Sequence, residues 1–164
     1  MVVGIKKIQV MEKQKHNLYQ KRYLQDYLKE LNSITNMEVN VGMLESLTED
    51  ERLKGIVSKK VFKDKILFHD KENLLLFFGQ LLKLKNGKAY IYTTYSKEFG
   101  LLKINGLEDF NVNFNFNDEH AGLISIILRD LSNELTLDFY EEEDEYYLEV
   151  QSYGDDWSKA KILD

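Results

Sequence analysis

The chain has 164 residues, 43% hydrophobic and 12% aromatic, enough for one domain with a real core and too apolar for a disordered one. It has no cysteine, which excludes disulfides and thiolate metal sites, and no proline where average usage would give roughly eight, so its turns fall to Gly, Asn, Asp and Ser. The net charge of −6 hides an asymmetry: residues 105–164 carry −13 and residues 1–104 carry +7, which bears on association and partner choice and says nothing of fold.

Residues 1–10 read as a short strand or a lead-in. From Met11 to Leu31 the period is helical, with Leu24, Tyr27, Leu28 and Leu31 on one face, Leu18 and Tyr23 extending it, and Lys13, Lys15, Lys21, Arg22 and Lys29 making much of the remainder basic. Met37 to Met43 is a weak strand or a loop. Thr48 then precedes Glu49, Asp50 and Glu51 in capping-box order, which predicts a short helix to about Val57.

Val61 to Phe68 reads as a strand. The segment from Lys71 to Leu84 is ambiguous: Asp70 could cap a helix, but the run Leu74 to Phe78 also suits a buried strand, and the expectation leans that way. Asn86-Gly87 is a strong two-residue hairpin signal, placing a strand up to Lys85 beside Ala89–Tyr95. Gly100 to Ile104 is a further strand. In NVNFNFN, Phe110, Val112, Phe114 and Phe116 alternate with asparagines, which predicts a strand with the rings inward. Leu123 to Arg129 is apolar on both faces, as a central strand would be.

Leu135 to Tyr153 reads as a hairpin closed by five consecutive acids, Glu141 to Glu145. Leu135, Leu137, Phe139, Leu148 and Val150 would face a core; Thr136, Asp138, Tyr140, Tyr147, Glu149, Gln151 and Tyr153 would face water. Gly154-Asp155-Asp156 breaks the second strand, and Trp157 to Ile162 adds one helical turn. The expected fold is α+β: one domain over 1–164, helical in 1–60 and mainly strands in 61–164. Its N-terminal helix or helices pack on a mostly antiparallel, meandering sheet of about six to eight strands.

No motif names a reaction. The nine glycines form neither a GxxxxGK[ST] loop nor a GxGxxG turn, and there is no GxSxG elbow. His16, His69 and His120 lack metal-ligand spacing, so no metal or cofactor is expected. The strong negative charge of the sheet half disfavours nucleic acid. No run approaches a membrane span and no signal peptide is evident, so the expected location is cytoplasmic.

Three function classes remain. Acids at a hairpin tip can serve solubility alone, or hold a cation. Together with the neighbouring aromatics they can also form a partner-binding surface: Glu141, Glu142, Glu143, Asp144, Glu145, Asp155 and Asp156 as charge partners, Tyr146, Tyr153 and Trp157 as anchors. A small hydrolase would use His120 with Asp118 or Glu119, and a non-catalytic adaptor would dock through the basic helix 11–31.

In LYQKRYLQDYLKELN, in NLLLFFG and AYIYTTYS, and in DLSNELTLDFYEEEDEYYLEVQSYGDDW, the chain resembles the small acidic immunity proteins encoded beside polymorphic, LXG-type toxins of Gram-positive bacteria. The resemblance implies no catalysis, but a cytoplasmic inhibitor that occludes a cognate, basic, nuclease-like toxin domain.

Overall fold

The structure is a computed structural model that describes residues 2–46, 60–115 and 122–163. Its elements are α1 (Val2–Ile34), β1 (Leu44–Glu45), β2 (Val61–Leu67), α2 (Lys71–Leu84), β3 (Ala89–Tyr92), a four-residue α3 (Ser96–Phe99), β4 (Leu101–Ile104), β5 (Leu123–Leu128), β6 (Asn133–Glu142) and β7 (Glu145–Gly154), with short 3-10 turns at Val41–Met43, Leu107–Asp109 and Trp157–Lys159. The seven strands form one sheet in the order β1-β4-β3-β5-β6-β7-β2. Every pairing in it is antiparallel. The expected α+β class and strand number hold, and β5 is central as its two apolar faces require.

Residues 2–10 belong to α1, neither a strand nor a lead-in, because nothing in Val2–Ile34 interrupts a helix as a proline would. Tyr27, Leu31 and Ile34 sink into the core, where they join the same cluster as α2. Leu18 does not extend that face. Nine residues before Tyr27, it lies about half a turn round the helix from it, and it is 67% exposed. The helix expected to begin after Thr48, like the Asn117–Gly122 turn apart from Gly122, lies outside the described residues.

The lean towards a strand at Leu74–Phe78 is overturned: α2 runs through it. The Asp70 carboxylate accepts from Asn73 N at 3.3 Å and Asn73 Nδ2 at 2.8 Å, which caps the helix. Leu74, Phe77, Phe78 and Leu81 are buried at helical spacing, whereas Leu75 and Leu76 point outward. The helix carries the chain from β2 at one edge of the sheet to β3 beyond β5, β6 and β7.

Asn86-Gly87 is therefore not a hairpin turn but the link from α2 to β3. Lys85 N–H still bonds Leu81 O, and the Trp157 indole donates to Lys85 O at 2.9 Å, fixing the link from the other side. β3 also stops at Tyr92, three residues short of expectation. Phe110 and Phe114 are buried as the alternation predicts, but residues 110–115 form no strand. The asparagines there bond locally and to the end of α1: Asn113 N to Asn111 Oδ1 at 3.0 Å, Asn111 Nδ2 to Ser33 O at 3.2 Å, Asn111 N to Ile34 O at 2.8 Å. Asx side chains that take backbone partners in this way favour turns over ladders. Phe116 lies outside the described residues.

The β6–β7 hairpin alternates as the sequence dictates. Leu135, Leu137, Phe139, Leu148 and Val150 are buried, and the intervening residues are half-exposed up to the acidic end. Its turn is tighter than the run of five acids suggests. Glu142 pairs with Glu145, and only Glu143 and Asp144 lie in the loop, both with positive φ (52° and 63°). At the far end Asn133 is fully buried and its Oδ1 accepts from Trp157 N at 2.9 Å, folding the C-terminal turn onto the sheet. Gly154, at φ 109°, allows this: a Cβ there would stand 2.3 Å from Ser132 O.

Candidate functional site

The parity of the strands divides the expected partner-binding residues. The face of the sheet away from the core carries Lys63 and Lys65 of β2, Tyr147, Glu149, Gln151 and Tyr153 of β7, and Glu134, Thr136, Asp138, Tyr140 and Glu142 of β6, in register across the ladders. Tyr146 has the opposite parity. It packs against the core, with the His69 ring edge-on at 6.2 Å.

The ten residues do not form one patch. Glu141, Glu142, Glu143, Asp144, Glu145 and Tyr146 meet at the turn end of the hairpin. Tyr153, Asp155, Asp156 and Trp157 sit at the other end, eight or more residues along β7, roughly 27 Å of extended chain. Trp157 is 0% exposed, so it is a core residue and offers a partner no anchor. Asp156 receives Asn133 Nδ2 at 3.3 Å, as part of the C-terminal turn, and Asp155 pairs with Lys60 at 3.3 Å. The Tyr153 hydroxyl donates to Gln151 Oε1.

The lysines of β2 also reach the acids. Lys63 Nζ stands 3.1 Å from Glu149 and Lys65 Nζ stands 3.3 Å from Glu142. The hydrogen bond from Gln151 and then Lys63 hold the Glu149 carboxyl below its ordinary range, and the bond to Glu142 raises the Lys65 ammonium. Lys65 lies 4.1 Å over the Tyr147 ring, which is 5.9 Å from Tyr140. Asp138 is raised by burial and then by the charge of Glu149.

What remains is a smaller, sharper acidic feature. Glu141, Glu143, Asp144 and Glu145 are all exposed, and among the described residues none takes part in an ion pair. The Tyr140–Tyr147 pair lies beside them on the open face. The alternation through β6 and β7 had already placed Tyr140 and Tyr147 on the open face, but the anchors chosen from the sequence were Tyr146, Tyr153 and Trp157, of which only Tyr153 lies on that face.

Other places on the molecule carry less. A shallow hollow lined by Lys85, Lys88, Tyr90, Arg129 and Asp130 is cationic in composition. However, Lys85 is paired to Asp130 at 2.9 Å and Arg129 to Glu45 at 3.6 Å, which removes most of its pull on an anion. Under α1, the Tyr27 hydroxyl donates to Gly100 O at 2.7 Å and bonds Ser96 Oγ at 2.9 Å, while Ser96 Oγ accepts from Thr93 N at 2.8 Å. Burial pushes the Tyr27 hydroxyl to about 12 and the neighbouring Glu30 carboxyl to about 7, the latter offset in part by the Thr93 hydroxyl. Ser96 and Thr93 are buried, so this nest is closed to a substrate.

Lys71, over the Phe68 ring at 3.8 Å, is lowered to about 8 by burial. Asp118, Glu119 and His120 lie outside the described residues. Among the described residues no three metal-binding side chains converge, and no helix is long and apolar enough to cross a membrane. Comparison with protein-family models, with curated proteins and with solved structures returned no match.

Proposed function

We propose that the protein is a non-catalytic binding protein of the immunity type, whose β6–β7 hairpin end occludes a basic surface on a cognate toxin domain. The observation that carries this reading is the set of four acids that make no ion pair among the described residues, Glu141, Glu143, Asp144 and Glu145. The neighbouring strand satisfies Glu142 with Lys65 and leaves these four to solvent.

The turn supports the reading from a second direction. Two-residue turns with positive φ at both central positions favour Asn-Gly, because left-handed backbone costs an ordinary residue about 1–2 kcal/mol. The chain places Glu143 and Asp144 there. Asp tolerates that backbone, so it is at Glu143 that a charged side chain stands against the backbone preference, as at sites where local strain serves a function. A cationic partner would be steered to the tip by long-range attraction, and its lysines and arginines would pair with carboxylates that need break no internal bridge. Tyr140 and Tyr147 supply apolar area beside that contact.

Coexpression with the product of the adjacent reading frame tests the reading. Growth inhibition by that product should be relieved by this protein. The E141K/E143K/D144K variant, folded by circular dichroism, should associate with it about tenfold or more slowly at low salt. An adjacent product without toxicity, toxicity unrelieved by the protein, or an unchanged association rate would overturn the proposal.

A further inference from the structure

The proposed function leaves unused the free half of α1. From Lys6 to Arg22 every side chain is exposed, and among the described residues none makes a hydrogen bond or ion pair with the body of the protein. Its apolar residues are nevertheless ordered round the axis. At about 100° per residue, Ile8, Met11, Leu18 and Tyr19 fall within one arc of about 100°, centred well away from the Tyr27–Leu31–Ile34 face that docks, with Val10 alone among the exposed apolar side chains of this half off the arc. All four are about half-exposed or more. Ile8, Met11, Lys15, Leu18 and Arg22 follow one another at alternating spacings of three and four, the spacing of a seam that packs on something.

The charge decides what that something is. Lys6, Lys7, Lys13, Lys15, Lys21 and Arg22 stand against Glu12 alone, a net +5. A second α1 laid along the seam would oppose +5 to +5, with Lys15 and Arg22 in the contact itself, and is repelled. A bilayer would have to take Lys15 and Arg22 into the same arc as the apolar side chains, so the helix lacks the clean apolar face that interfacial helices bury. An acidic surface bearing rings satisfies both demands, because its carboxylates meet Lys15 and Arg22 and its rings cover Ile8, Met11 and Leu18.

We infer that the free half of α1 docks on the β6–β7 hairpin end of a second copy of this chain. Glu141, Glu143, Asp144 and Glu145 face the helix cations there, and Tyr140 and Tyr147 face its apolar arc. The contact is heterologous. Made reciprocally it closes a two-fold dimer, and made once it extends a chain of molecules. It does not rest on the toxin partner, although a basic partner at the hairpin end would compete with it.

Sedimentation velocity on the full chain tests this, at about 20 mM and about 500 mM salt, where screening lengths differ several-fold. Self-association that rises with concentration is expected at low salt, weakened about tenfold or more at high salt. The helix-reversed variant K13E/K15E/R22E and the hairpin-reversed variant E141K/E143K/D144K should each be monomeric with unchanged circular dichroism. Mixed together they should associate again, because each then meets a surface of opposite charge. The inference is overturned by a wild-type protein that stays monomeric at low salt, by association that survives either reversal, or by a mixture that remains monomeric. A monomer that instead sediments with phosphatidylglycerol vesicles would overturn it in favour of lipid.

Discussion

The two halves of α1 are built from similar residues and have opposite fates. Both carry apolar side chains at helical spacing among lysines, but Tyr27, Leu31 and Ile34 are buried while Ile8, Met11 and Leu18 are exposed on the other side of the same helix. The difference teaches that amphipathic spacing shows a face able to pack and does not show that anything within the chain covers it. The docked half has specific partners for its polar atoms, such as Gly100 O and Ser96 Oγ for Tyr27. The free half has an apolar arc and a net charge, and apart from the Tyr23 ring 4.2 Å from that of Tyr19 on the same helix, nothing among the described residues is laid against them.

Truncating the docked half should produce the largest effect. Leu31→Ala is expected to lower unfolding free energy by about 3 kcal/mol in urea denaturation, since Leu31 is fully enclosed and the cavity cannot collapse without moving α1. A loss no larger than that of a surface substitution would erase the distinction between the halves. Glu30, also on the docked half, sharpens it by pH. Among the described residues its Oε2 is buried without a hydrogen-bond partner, and burial, offset only in part by the Thr93 hydroxyl, raises its carboxyl to about 7. The folded protein therefore binds a proton between pH 4.5 and 7 that the unfolded chain has released, so stability is full below this window and falls as pH rises through it. Glu30→Gln is expected to stabilise the protein by about 2 kcal/mol at pH 8 and to flatten its stability between pH 5 and 8. A pH profile parallel to that of the wild type would refute this. The smallest effect belongs to the free half: Leu18→Ser should change stability by less than about 0.5 kcal/mol. A larger loss would mean that the helix is covered within the monomer.

Two turns show how far local sequence reaches. Asn86-Gly87 has the chemistry of a tight hairpin and makes none, because capping at Asp70 and the buried stripe from Leu74 to Leu81 commit the preceding residues to a helix. Glu143-Asp144 has poor hairpin chemistry and closes the longest hairpin of the molecule, because ten residues on each side alternate in register and overrule the turn. The phenylalanines of NVNFNFN were legible as core residues and misleading as a strand, since period two is also produced by a looped segment whose asparagines bond locally.

For the candidate site, the acidic run was legible and its real extent was not. Lys65 neutralises Glu142 from 77 residues away, and Trp157, counted as a surface anchor, is held in the core by Asn133 and Lys85 O. Composition and alternation alone established the α+β class, the inward residues of β6 and β7, the central β5 and the separation of charge between the two halves of the chain. These follow from interactions that span a few residues, where side-chain direction repeats with the backbone. Strand order, the lysines beside the acids, the choice of helix for α2 and the half of α1 that docks were decided only in three dimensions. Such pairings are set by which distant surfaces bury the most apolar area together, and no short window of sequence contains that comparison.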